Sequence, residues 1–147
     1  MAMTKIVITP KNPKDLTKEE RAQLKKRTPL GLSRAALKGI NIIQDGLDKG
    51  QGFEGALAPY SDAYALIKRA KKGSNAYVVN LMWSGNMRGS ITHKHDKDSA
   101  TIFFSRATEA KKGAMLNKKR PFFGINEKGE KMLAKVFEAY VFRGFSK

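Results

Sequence analysis

The stretch from Arg120 to Arg143, RPFFGINEKGEKMLAKVFEAYVFR, limits the fold more than any other part of the chain. Pro121 biases Arg120 toward extended geometry and bars a helix from running through the pair. Phe122, Phe123 and Ile125 then form a short apolar run around Gly124. Asn126 is a good helix N-cap, and Glu127 and Glu130 fall in the first turn, where the helix dipole favours negative charge. Met132, Leu133, Val136, Phe137, Tyr140 and Val141 recur at helical steps and line one face, with Lys128, Lys131, Lys135 and Glu138 elsewhere on the wheel. Arg143 and Gly144 form the C-terminal stop. An apolar face of this length has to cover something, and the simplest partner is a sheet built by the middle of the chain.

The chain of 147 residues is long enough for one core but not for two, so a single domain spanning 1–147 is expected, with 1–15 as an N-terminal arm or edge strand. A hydrophobic share of 41% argues against general disorder. Without cysteine there is no disulfide framework and no thiolate metal site. No apolar run reaches the roughly 20 residues that span a bilayer, and the first residues lack a signal-type apolar core. A cytoplasmic protein with no membrane partner is therefore expected. The formal charge of +16 is explained either by a solvated surface or by a polyanionic partner.

Ile6, Val7 and Ile8 favour a strand, stopped by Pro10 and Pro13. Asp15 or Thr17 caps a helix running to about Lys26, which Pro29 breaks or kinks. A second helix is predicted from Ser33 to Asp48, with Leu32, Ala36, Ile40, Ile43 and Leu47 on one stripe. Lys49 to Pro59 reads as a glycine-rich loop tethered by Phe53 and Leu57. Ser61 caps a third helix, Asp62 to about Lys72, in which Tyr64, Ala65 and Ile67 pack while Lys68, Arg69, Lys71 and Lys72 gather at the end favoured by the dipole. Tyr77 to Met82 is an apolar, partly β-branched run. Met87 to Lys94 and Ser99 to Ser105 form two strands of a hairpin joined at Asp96-Lys97-Asp98, and Ala107 to Leu116 a short helix. The fold class expected is α+β, a small, mostly antiparallel sheet (hairpin about 87–105) packed by helices, with a long C-terminal amphipathic helix.

Candidate chemistry is sparse. His93 and His95 share one face of a strand near Asp96 and Asp98, but no third ligand has recognisable spacing, so no metal site is expected. Ser84-Gly85 lacks the glycine that a nucleophile elbow places two residues before its serine. Gly50, Gly52 and Gly55 spell G-x-G-x-x-G without the strand and helix that give the pattern meaning. No paired carboxylates suggest acid–base work. Trp83, Phe103, Phe104, Phe122 and Phe123 are candidates for base stacking, though aromatics beside strands are more often core or subunit interface. The expectation is no enzyme, no catalytic residue and no cofactor.

Three segments together resemble the tail-completion, or virion-morphogenesis, proteins of tailed bacteriophages. They are Pro59-Tyr60-Ser61-x-x-Tyr64-Ala65-x-x-Lys68, Leu81-x-x-Ser84-Gly85-x-Met87-x-x-Ser90-Ile91, and Arg120-Pro121-Phe122-Phe123-Gly124-Ile125. Their order and spacing cover residues 55–142. Two features depart from the family pattern: Arg106 to Gly113 carries no histidine, and Asn126 stands where the family has Ser or Thr. The resemblance implies a compact α+β subunit in the virion neck, assembled in the host cytoplasm into a ring, a hexamer, at the head-proximal end of a tail. It implies partners in the tail tube protein and the head–tail connector, and a mechanism of surface complementarity with no reaction. Interface residues expected are Arg120, Phe122 and Phe123, with closure of the core under the last helix as the competing role for the two phenylalanines. Lys68, Arg69, Lys71, Lys72, Lys118 and Lys119 are the basic residues expected to face passing DNA or an acidic neighbouring ring. The alternative function is a basic nucleic-acid-binding module, whose affinity for DNA would fall steeply with salt.

Overall fold

The computed structural model describes residues 5–10, 15–72, 79, 81 and 85–144, with Lys72 described by its backbone only. The element order is β1 (Lys5–Ile8), α1 (Lys18–Asp48), β2 (Gln51–Gly52), β3 (Gly55–Ala56), α2 (Asp62–Lys72), α3 (Asn86–Gly89), β4 (Ile91–His95), β5 (Ala100–Phe104), α4 (Ala107–Lys119) and α5 (Glu127–Val141). Helices and a small antiparallel sheet make it an α+β fold, as the sequence predicts.

The longest element is α1, 31 residues, which packs against α5, β4, β5 and β2. Its start is a reciprocal capping box: Thr17 Oγ1 accepts from the Glu20 amide and Glu20 Oε1 accepts from the Thr17 amide. The two helices expected on either side of Pro29 are one, which corrects the sequence reading. A proline inside a helix loses a hydrogen bond and crowds the preceding turn, at about 3 kcal/mol. Here Thr28, Gly31, Leu32, Ala35, Ala36, Gly39, Ile43 and Leu47 are all buried along the same helix. Breaking it at Pro29 would part the Thr28–Ala36 contacts from the rest, so burial outweighs the local penalty.

α5 begins and ends where the sequence indicates, with Asn126 Oδ1 accepting from the Gly129 amide at 2.8 Å. Its packing partner is different. The face is laid mainly on α1, not on the sheet, through Gly129, Leu133, Phe137 and Val141 at four-residue steps. Met132 is outside that seam and exposed. Gly31 of α1 is what permits the close approach, because a Cβ there would overlap a Val141 methyl and press on the Phe137 ring. Arg27 of α1 reaches the far end of α5 and donates to the carbonyls of Val141 (3.2 Å) and Arg143 (2.7 Å), supplying the cation that the helix C-terminus favours.

The main sheet has the order β1-β5-β4, all antiparallel. Register sets Ile6 against Ile102 and His93 against Ile102 on the other side, so these residues share the face that α1 covers. Ala100, Ile102 and Phe104 are the buried residues of β5. The hairpin is as expected at its second strand, but residues 86–89 form a helical turn before β4 and do not extend the strand. Arg88 explains this. Its guanidinium donates to Gln44 Oε1 (2.7 Å) and Asp48 Oδ1 (2.8 Å), tying the turn to the end of α1. The hairpin closes through Asp96, whose Oδ1 accepts from the amides of Asp98 and Ser99.

Candidate functional site

Segments far apart in sequence meet at Tyr60. The loop from Leu57 leads into α2, which Ser61 caps by accepting from the Tyr64 amide at 3.2 Å. The Tyr60 hydroxyl accepts from the Leu81 amide at 3.0 Å and, at the limit of hydrogen-bond distance, from Lys68 Nζ at 3.5 Å. Leu81 sits in the left-handed region (φ 54), a conformation that leucine takes at a cost. Arg120, extended before Pro121, turns its guanidinium back over the Tyr60 ring at 5.2 Å. It donates to the carbonyls of Ala58 (2.8 Å) and Pro59 (2.9 Å). Tyr64 meets the Tyr60 ring edge-on at 4.8 Å.

A cavity of about 470 Å³ opens beside this cluster, between the start of α2 and α4. Tyr60, Tyr64 and Leu116 line it together with Lys112, Lys119 and Arg120. The buried Glu109 also faces it and is paired to Lys112 at 3.2 Å. Burial raises the Tyr60 phenol above its ordinary 10.0, partly offset by the Leu81 amide. Burial likewise lowers the Lys68 ammonium below its ordinary 10.5.

Beyond the cavity, the chain after Arg120 goes inward. Asn117 Oδ1 accepts from the amides of Phe122 and Phe123, both at 2.9 Å, holding the turn under the end of α4. The Phe53 ring lies so close to Gly124 that no side chain fits there. Phe122 and Phe123 pack with Phe104 in the core at centroid distances of 4.8–6.5 Å.

These placements correct several sequence expectations. Arg120, Phe122 and Phe123 do not present side chains at a subunit interface: all three are buried in the subunit, the phenylalanines at 1% and 0% exposure. The apolar run is spent on the core, and the guanidinium on the carbonyls of Ala58 and Pro59. Lys68 is not a solvent-facing cation either, because it is 3% exposed with its ammonium 4.8 Å from the Tyr60 ring centroid. Ile67, expected to pack, faces solvent, as does Leu66. Arg69, Lys71, Lys118 and Lys119 are exposed. The Lys72 side chain, Trp83, Ser84 and most of the Tyr77–Met82 run lie outside the described residues.

His93 ties the hairpin to α1: its Nε2 is 3.0 Å from Ser33 Oγ, and the His95 ring stacks at 6.4 Å. Among the described residues, no three His, Cys, Asp or Glu side chains gather as a metal site. The sequence gives no sign that Glu109 and Arg88 are buried, because a charged residue is ordinarily exposed and the partners of Arg88, Gln44 and Asp48, are 44 and 40 residues away. Tyr60 was visible only as part of a pattern. The cluster is built from groups that contact one another: a phenol, a guanidinium and an ammonium tie a loop, a helix start and Leu81 together. Comparison with protein-family models, curated proteins and solved structures returns no match to this chain.

Proposed function

We propose that this chain is a structural assembly subunit of a phage virion neck, completing the tail and joining it to the head connector as an oligomeric ring. The observation that carries the reading is the convergence at Tyr60. Pro59-Tyr60-Ser61-x-x-Tyr64-Ala65-x-x-Lys68, the Leu81 segment and Arg120-Pro121 are separate in sequence, yet Tyr60 bonds to Leu81, Lys68 approaches the Tyr60 ring and Arg120 holds the Ala58–Pro59 carbonyls. Three segments that share a family resemblance thus form one physical unit, as parts of a common subunit design do. The partners proposed are other copies of the chain, the tail tube protein and the connector. Function resides in surfaces, and several large apolar side chains are at hand for that purpose: Val7, Leu30, Leu37, Leu66, Ile67 and Met115 are exposed.

The test is native mass by light scattering together with negative-stain imaging, at low and high salt, alone and with tail tube protein. Rings of about six subunits are expected, either alone or on addition of the tube protein. A monomer that ignores tube protein and binds DNA with steep salt dependence overturns the reading in favour of a basic nucleic-acid-binding module using Arg69, Lys71, Lys118 and Lys119.

A further inference from the structure

α2 is amphipathic in an inverted sense. Toward the protein it turns Ala65 and Lys68, the only residues of the helix that are described as buried. Away from the protein it turns Ala63, Leu66, Ile67 and Ala70, spaced as i, i+3, i+4 and i+7 and all exposed. Leu66 is 61% exposed and Ile67 is 52% exposed, with Tyr64 beside them at 38%. Single exposed leucines are ordinary on protein surfaces. A continuous helical stripe pointing outward while a lysine is buried on the opposite face is not, since the same helix would lose less by rotating. It is held in this orientation by Lys68 over the Tyr60 ring and by Ser61 at its start.

We propose that this outward face of α2 docks into an apolar, acid-rimmed groove on another protein. The inference rests on the reading that the chain works by binding neighbouring proteins, and it names the chemistry of one such neighbour. Charge selects the occupant. Arg69 and Lys71 are exposed beside the stripe, and Asp62 at the first turn is the only acidic residue of the helix. A second copy meeting this face with its own α2 would bring the same two cations and a single carboxylate, Asp62, and so offers no acidic rim. Nucleic acid would engage the two cations but leave Leu66 and Ile67 in water. A membrane surface would take a basic apolar face, but this helix offers only 11 residues and two large aliphatics.

The probe is a labelled, designed acidic helix of three heptads with Ile and Leu at its core positions and Glu at the flanking ones, titrated with the full chain by fluorescence anisotropy. Two control peptides carry Ser at the core positions or Lys at the flanks. Binding is expected for the first peptide, with both controls weaker by about tenfold or more. The Leu66→Ser, Ile67→Ser double variant is expected to lose about tenfold in affinity at unchanged melting temperature, because both residues face solvent. The Arg69→Glu, Lys71→Glu variant is expected to lose a similar amount. Equal binding of the Ser-core peptide, no effect of the double variant, or no binding of any peptide overturns the proposal. So does a concentration-dependent dimer, or adsorption to vesicles of equal parts phosphatidylserine and phosphatidylcholine, that the Leu66→Ser, Ile67→Ser change abolishes. Ring formation is read separately by native mass, so a failed peptide titration with intact rings leaves the neck reading standing. Peptide binding by a chain that never forms rings does the reverse.

Discussion

Arg120 shows how one side chain organises a neighbourhood. Its guanidinium supplies donors to the carbonyls of Ala58 and Pro59 and lies on Tyr60, so removing it takes two charge-assisted hydrogen bonds and a ring contact from this loop at once. Arg120→Ala is expected to lower the unfolding free energy by about 2–3 kcal/mol, measured by denaturant titration. Arg120→Lys should recover only part of this, because an ammonium cannot reproduce the fork. Tyr60 offers a pH-dependent check. Its folded pKa is raised above 10.0, so folding holds the phenol proton that the unfolded chain releases, and the associated stability is present below pH 10.0 and lost as pH rises through the raised value. Lys68, lowered below 10.5, works the other way, since its burial penalty is relieved as pH climbs toward 10.5. Tyr60→Phe, which removes the first effect and keeps the second, is expected to flatten the alkaline decline in melting temperature relative to its own neutral value. An unchanged decline would show that the phenol is not the group responsible.

At the scale of elements, the pairing of α1 with α5 carries the core. The two helices approach closely at Gly31, where the Val141 methyl and the Phe137 ring occupy the space of a side chain. Gly31→Ala is expected to destabilise by about 1–3 kcal/mol through overpacking, despite alanine's better helix propensity. Val141→Ala alone leaves a cavity and costs about as much. Combined, the two changes should cost less than the sum of their separate effects, because the new methyl enters the vacated space, and a double-mutant cycle by thermal unfolding measures the difference. Strict additivity would mean that the helices separate instead of interlocking.

On the whole molecule, the charge of +16 is spread over a surface that already buries Lys68, Arg88 and Arg120. Self-repulsion at that charge opposes the compact state and is screened by salt. Raising sodium chloride from about 0.02 M to about 0.2 M is therefore expected to raise the melting temperature of the isolated chain. A fall would mean that ion pairs such as Arg88–Asp48 and Lys112–Glu109 outweigh the general repulsion. Among the described residues, the edge strands β1 and β4 of the sheet and the exposed stripe of α2 are surfaces that an assembly can use without rearranging the core.

Local signals determined much of the chain. Asn126 with its two following glutamates set the start of α5, and of the two caps the sequence offers for the first helix, Asp15 and Thr17, α1 uses Thr17. Alternation placed Ala100, Ile102 and Phe104 on one face, and the α+β class followed from these elements. Capping, alternation and turn chemistry act over a few residues, so sequence alone carries them. Three features were decided by tertiary structure. The first is the passage of α1 through Pro29, which depends on burial summed over eight positions of the helix. The second is the inward fate of Arg120, Phe122 and Phe123, where an exposed anchor and a core residue have the same local pattern. The third is the rotation of α2, in which periodicity identifies an apolar stripe but only Tyr60, more than a turn away from Lys68, decides which face is turned inward. Periodicity is a property of one helix; the side on which that helix is buried is a property of its neighbours.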